Sequence, residues 1–360
     1  MGAFCNKNGK KESLLVDLKG KIEYNESRIQ SGIPDRKGEM IMVRLGVDLG
    51  GTNIAVGIVD ENYQVVHKAS VPTLAHRAPE AIVDDIAMLC RRVLEEQGLT
   101  LTDVGGVGIA APGTVNSRDG YVEYANNLPF HHFPIVPLLK ERLGDIPTFV
   151  DNDANAAAWG EAIAGAAKGT SNSVMITLGT GVGGGIVIEN QVYSGMGGAG
   201  AELGHMVIVA DGEPCSCGRK GCWEAYSSAT ALIRMTKEKL DECAATGRAT
   251  LMADMVAKKG KVTGRTSFDA MRAGDEAARE VVDTYIHYLA CGITNLVNIL
   301  RPEILSIGGG ISGEGQTLID ALLPIVSKEC YGGNTVEQTK ICIATLGNDA
   351  GIVGAAVLGL

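Results

Sequence analysis

The sequence predicts an α/β protein in two domains, and three observations predict it. At 360 residues the chain exceeds the usual size of one hydrophobic core. Short β-branched, apolar runs alternate with longer stretches whose apolar residues return at helical spacing. Finally, a strand, a glycine-dense turn and a second strand occur from Val43 to Asp60 and again from Ser173 to Ile188, about 130 residues later, as one candidate repeat in each half.

Composition narrows the function classes. Apolar residues make up 45% and charged residues 21%, a globular balance. A formal charge of -10 with 4% aromatics argues against a nucleic-acid partner, which calls for a cationic face and stacking rings. No run approaches the ~18 apolar residues of a membrane span, and the N-terminus lacks the apolar centre of a secretory signal. Met1-Gly2 has the start of a myristoylation signal, but Asn6 stands where Ser or Thr is wanted. No membrane partner is therefore expected. Three of the nine cysteines cluster, while Cys5, Cys90, Cys243, Cys291, Cys330 and Cys342 are scattered without a pairing pattern, which fits a reducing compartment. A soluble, cytoplasmic protein is the expectation.

Residues 1–41 are polar, with Lys and Glu interspersed and no sustained apolar period, and read as a disordered extension. From Val43 the pattern changes to a β-rich run ending at Asp48, then Gly50-Gly51-Thr52-Asn53, then a second run to Asp60. This is a hairpin, with a third strand from Gln64 to Ser70. Paired glycines let backbone N–H groups approach an anion, Thr52 adds a hydroxyl, and Asp48 at its strand end is placed to hold Mg²⁺ through water. Pro79 to Gly98 carries Ile82, Ile86, Leu89 and Val93 at helical spacing with Gly98 as C-cap. Val104 to Ala110 reads as a buried strand, and Ala111-Pro112-Gly113 turns at its C-terminal end, where open α/β sheets bind ligands. Asn126-Asn127 marks a second polar turn.

A short strand from Pro147 to Val150 ends in Asp151-Asn152-Asp153, and an alanine-rich helix begins directly after. The carboxylate thereby stands in the crevice at a helix N-terminus, although Asn152 or Asp153 also suits the plain role of N-cap. Gly179-Thr180-Gly181 opens the second hairpin. Gly179, Gly181 and Gly184 satisfy G-x-G-x-x-G, but β-branched residues follow where the dinucleotide fingerprint requires a helix. Further on, 225–246 and 275–300 have helical periodicity, and 247–274 reads as short helices and loops. Pro302 to Ile307 reads as a strand opening onto Gly308-Gly309-Gly310, a floor for a nucleotide, before a helix to about Cys330. A strand from Thr339 to Ala344 and a small-residue helix close the chain.

Between these lies His205 with Cys215, Cys217 and Cys222, spaced H-x9-C-x-C-x4-C. One imidazole and three thiols match a closed tetrahedral zinc site, and other thiophilic metals also suit the set. Four protein ligands leave no position for a metal-bound water, so the metal would be structural. Glu202 and Glu224 flank the ligand set on a loop the metal would hold rigid, which suits a polar ligand.

Taken together, Asp48-Leu-Gly-Gly-Thr-Asn53, Ala111-Pro-Gly113, Asn152-Asp153-Ala-Asn-Ala-Ala, Leu178-Gly-Thr-Gly-Val-Gly-Gly-Gly185, Glu202-Leu-Gly-His205 and Cys215-Ser-Cys-Gly-Arg-Lys-Gly-Cys-Trp-Glu224 resemble the ROK family of sugar kinases. Within the family the likeness is greatest to the ATP-dependent glucokinases of bacteria. The resemblance covers about residues 43–360 and leaves the first 41 outside it. It implies a two-domain hexokinase/actin-like ATPase fold with a cleft between the domains. A small domain would take 43–151 with 348–360, and a large one, carrying a zinc-bound loop, 152–347.

The implied activity is ATP-dependent phosphorylation of a hexose, glucose first, with N-acetylmannosamine or fructose as alternatives. A non-catalytic sugar-sensing repressor is the competing function. The implied partners are a sugar and Mg-ATP, in a homo-oligomer, a dimer or tetramer. By resemblance Asp153 is the general base. Gly113, Asn127, Asn152, Asp153, Glu202, His205 and Glu224 hold the sugar. Asp48, Gly50, Gly51, Thr52, Asn53, Gly179, Thr180, Gly181, Gly309 and Gly310 face ATP and Mg²⁺, and His205, Cys215, Cys217 and Cys222 hold structural Zn²⁺.

Overall fold

The computed structural model describes residues 42–360 and, before them, four two-residue strands in two antiparallel pairs, Phe4–Cys5 with Lys11–Glu12 and Ile33–Pro34 with Met40–Ile41. Apart from those eight residues, the extension expected over 1–41 lies outside the described residues. The first half opens with the predicted hairpin. Val43–Leu49 (β1) turns into antiparallel Asn53–Val59 (β2), followed by antiparallel Val65–Pro72 (β3). Pro79–Glu95 (α1) starts with Pro at its first position, which suits a helix N-terminus, and buries Ile82, Val83, Ile86, Leu89, Val93 and Leu94. Each such buried aliphatic contributes roughly 1.5–3 kcal/mol. The chain then crosses to Val104–Ala111 (β4), parallel to β1.

Thr114–Asn116 (β5), Tyr121–Tyr124 (β6) and His131–Phe133 (β7) form a small antiparallel sheet that sequence reading does not assign, because three- and four-residue strands are too short to show a period. Ile135–Leu143 (α2) leads to Thr148–Asn152 (β8), parallel to β4. The strand order of the main sheet is β8-β4-β1-β2-β3.

The second half repeats the plan. After Asp153–Ala164 (α3), Ser173–Leu178 (β9), Val182–Ile188 (β10) and Gln191–Val192 (β11) form an antiparallel meander. A long excursion follows through Glu224–Ser227 (α4), Ala229–Thr246 (α5), Leu251–Lys259 (α6), Thr266–Arg272 (α7) and Glu276–Leu300 (α8). The chain then returns as Ile304–Gly308 (β12), parallel to β9, and, past Gln316–Glu329 (α9), as Lys340–Ile343 (β13), parallel to β12. The order β11-β10-β9-β12-β13 has the same sense as the first sheet, so the repeated glycine hairpin is part of a repeated mixed sheet. The helix expected over 225–246 is broken at Ser228, whose hydroxyl caps α5 by accepting from Ala231 N–H at 3.0 Å.

The last helix, Ala350–Ala356 (α10), packs against the first sheet and crosses α3, which lies against the second. Small residues make the approach possible. A Cβ on Gly108 would stand 1.7 Å from Ala355 O, and one on Gly354 would stand 1.9 Å from Ala156 O. Fully buried Glu161 of α3 accepts from Thr345 N–H (3.1 Å) and Leu346 N–H (2.8 Å), tying α3 to the link before α10. Among the described residues no helix is long and apolar enough to cross a membrane.

Candidate active site

Two neighbouring spaces lie where the halves meet. The larger, about 800 Å³, is lined by Asp48 from the first half and by Asp153, Gly179–Gly181, Glu202, His205, Glu224 and Gly308–Gly310 from the second. The smaller, about 120 Å³, is a niche bounded by Gly113, Asn152, Asp153, Ala154 and Glu202 together with the glycine-rich loop through Gly198 and Gly200. Asp153, Ala154 and Glu202 belong to both. A group in the niche and one in the cleft would thus meet at the Asp153 carboxylate.

The local sequence explains how Asp153 gets there. Asn152 ends β8 and caps α3, its Oδ1 accepting from Ala154 N–H (2.9 Å) and Asn155 N–H (3.2 Å). Its Nδ2 donates to Gly113 O at 3.0 Å, so the N-cap role is real and ties the helix start to the Ala111-Pro112-Gly113 turn. Gly113 needs to be glycine, because its φ is +93° and a Cβ would stand 2.0 Å from Tyr124 O. Asp151, buried behind, accepts from Asn155 Nδ2 at 3.0 Å. Asp153 is left as the first residue of α3, exposed to the cleft. Desolvation pushes its carboxyl above the ordinary range, and the nearby Glu202 charge adds to the rise. Desolvation likewise raises Asp48, with the Asp153 charge second.

The first glycine turn is tightly made. Gly50 N–H donates to Asn53 O (2.9 Å), and Thr73 Oγ1 and N–H hold Gly50 O (2.6 Å) and Thr52 O (2.8 Å). A Cβ on Gly51 would lie 2.9 Å from Asn127 Cβ, so turn and polar loop abut. Of this set Asp48 lines the cleft, while Gly50, Gly51, Thr52, Asn53 and Asn127 stand outside its lining. In the second turn Gly179 N–H donates to Gly181 O (3.0 Å), and the space at the Gly179 and Gly310 Cβ positions is open.

His205, Cys215, Cys217 and Cys222 come together with their ligand atoms all within 4.8 Å of one another. The His205 Nδ1 to Cys215 Sγ and Cys217 Sγ to Cys222 Sγ distances are both 3.6 Å. A tetrahedron of thiolates about 2.3 Å from zinc has edges of about 3.8 Å, so the four donors fit that ion. With Nδ1 turned to the thiols, the other ring nitrogen is left for the cleft, which His205 also lines.

Sequence reading passed over several cleft residues. Thr177, Ser312, Gly313 and Asn348 line it, Ser312-Gly313 being the unused end of the glycine run after β12. Gly351 does so too, and a Cβ there would sit 2.8 Å from the Asp48 carboxylate; its only sequence signal is the small-residue character of α10.

Comparison with known proteins agrees with this geometry. The ROK family profile matches residues 44–360. A glucokinase of Halalkalibacterium halodurans is 38% identical over 317 residues, 87% of this chain and 94% of the relative. A glucokinase of Streptomyces coelicolor is 38% identical over 314 residues, 87% and 96% of the two chains. Among solved structures, the ROK family glucokinase of Streptomyces griseus in complex with glucose and AMPPNP superposes with a TM-score of 0.72 at 36% identity, covering 88% of this chain and 98% of that one. Two mixed sheets joined through crossing helices, with a polar cleft between them, define a sugar kinase of the hexokinase/actin-like ATPase fold. The chain belongs to the ROK family.

Proposed function

We propose that the protein transfers the γ-phosphoryl group of ATP to a hydroxyl of a hexose, glucose in the first place, making glucose 6-phosphate. The observation that carries the reading is the position of Asp153, which with Glu202 borders both the niche and the cleft. A sugar hydroxyl in the niche would lie against that carboxylate, and a phosphoryl group at the glycine turns would lie beyond it. Asp153 accepts the hydroxyl proton as the oxygen attacks phosphorus, and its raised pKa suits it to that exchange. Asn152 and Glu202, with Gly113, hold the sugar in the niche, and His205 and Glu224 hold it from the cleft side. Asn127, beside the Gly51 turn, reaches it when the halves close.

The small half in this reading is 43–151 with 348–360, and the large half is 152–347. The turns at Gly50–Asn53 and Gly179–Gly181, with Gly309 and Gly310, receive the phosphates through backbone N–H groups, since the chain has no Walker A motif. Mg²⁺, held through Asp48, supplies charge neutralisation on the phosphates when bound. Zn²⁺ on His205, Cys215, Cys217 and Cys222 fixes the loop between Glu202 and Glu224. The relatives named as glucokinases and the glucose and AMPPNP complex support the choice of sugar and donor.

The test is a coupled assay of ADP release with Mg-ATP across hexoses and N-acetylhexosamines, with kcat/KM highest for glucose as the expected result. A higher value for N-acetylmannosamine or fructose would replace the sugar and keep the mechanism. No ADP release with any sugar would sink the kinase reading.

A further inference from the structure

The glycine turn Gly179–Val182 is gripped from behind by the start of the α4–α5 segment. Val182 N–H donates to Glu224 Oε2 (3.0 Å), Ala229 N–H donates to Gly179 O (2.8 Å), and Thr230 Oγ1 donates to Thr180 O (2.7 Å). A Cβ on Gly181 would stand 2.3 Å from Glu224 Oε2, so a side chain there would push the carboxylate off the turn. Ser228 caps α5, making the gripping element itself firm.

Peptide planarity turns this grip into an aiming device. In a trans peptide the carbonyl of one residue and the N–H of the next point in opposite directions. Fixing Gly179 O toward Ala229 therefore points Thr180 N–H away from α5, and fixing Thr180 O toward Thr230 does the same for Gly181 N–H. Neither N–H has an acceptor among the described residues, and both residues line the cleft. Two consecutive free donors on the cleft side form a concavity for an anion. Of the three gripping groups, one is a main-chain N–H that any residue supplies, and Glu224 also faces the sugar side. Thr230 is the side chain whose hydroxyl has the turn as its sole protein partner among the described residues.

We propose that Thr230 is a positioning residue for the phosphoryl donor: its hydroxyl orients the Thr180–Gly181 peptide so that the Gly181 N–H meets a nucleotide phosphate. This rests on the reading of the 179–181 turn as a phosphate site. The test is titration calorimetry of the full-length protein with Mg-AMPPNP and, separately, with glucose. Thr230→Val keeps the shape and removes the donor, and Thr230→Ala does so with a strong helix former, guarding against misfolding by either change alone. Both should weaken Mg-AMPPNP binding about three- to tenfold, the size expected for one hydrogen bond. Glucose binding should stay within about twofold, and Thr230→Ser should restore the nucleotide affinity. Unchanged Mg-AMPPNP affinity in both variants, with the unaltered protein binding it normally, overturns the role of Thr230 alone. Failure of the unaltered protein to bind Mg-AMPPNP overturns the phosphate-site reading and this proposal with it.

Discussion

If Asp153 is the base proposed above, its environment fixes how it should respond to substitution and to pH. Asp153→Asn keeps the size and removes the proton acceptor, so kcat should fall by about 10²–10⁴-fold with little change in sugar affinity; steady-state kinetics with the glucose assay checks this. A base works only when deprotonated. Because desolvation and Glu202 raise the Asp153 pKa above the model-compound value of 3.8, the acid limb of the kcat profile should lie at higher pH than for an exposed aspartate. The residual rate of the Asn variant should lack that limb. From the residues alone, a strand stopping before an alanine run left an N-cap and a cleft carboxylate both open for Asp153, and only the family resemblance chose between them. The double employment of Asn152, as N-cap and as tie to Gly113, could be weighed beforehand but not decided, because the Gly113 contact spans 39 positions in sequence.

At the scale of elements, the loop from Glu202 to Glu224 and the helix start behind it behave as one piece. Trp223, fully buried, donates through Nε1 to Tyr288 O (3.1 Å), anchoring the loop's end to α8, while Ser216 Oγ lies 3.3 Å from Glu224 Oε1. Cys217→Ser should therefore release the metal and lower the melting temperature and the glucose affinity together, because metal binding and local order form one equilibrium. Metal analysis, thermal melts and calorimetry on the same preparation read all three, and an unchanged melting temperature after metal loss would separate loop order from the ion. Spacing alone pointed to His205, Cys215, Cys217 and Cys222 as a group, since all four lie within one short loop, and their ligand atoms do come together. It does not reveal the three-point grip on the second glycine turn, whose partners lie about 50 positions away and meet only once β9 and α5 have packed. The small sheet of β5, β6 and β7 escaped for the opposite reason, its strands being too short to repeat anything.

For the whole molecule, the family match begins at residue 44, and the strand that opens the first sheet begins at Val43. Removal of residues 1–41 should leave kcat, KM and melting temperature nearly unchanged, and a marked loss in either assay would show that this segment docks on the body. The duplicated sheet order was visible beforehand as two glycine hairpins, because in each half the first two strands are joined by a short glycine turn. The crossing of α3 and α10 was foreshadowed only by small residues. That crossing also bears on how the chain is made. Ile352, Ala355 and Ala356, all buried, pack against Val59 and Ala110 of the first sheet, yet in the chain they come after every strand of the second. The half translated first must wait, with one face of β1 and β4 uncovered, until the whole stretch from β9 to β13 has been made and α10 follows it. The order of completion in the cell would then run against the order of the code.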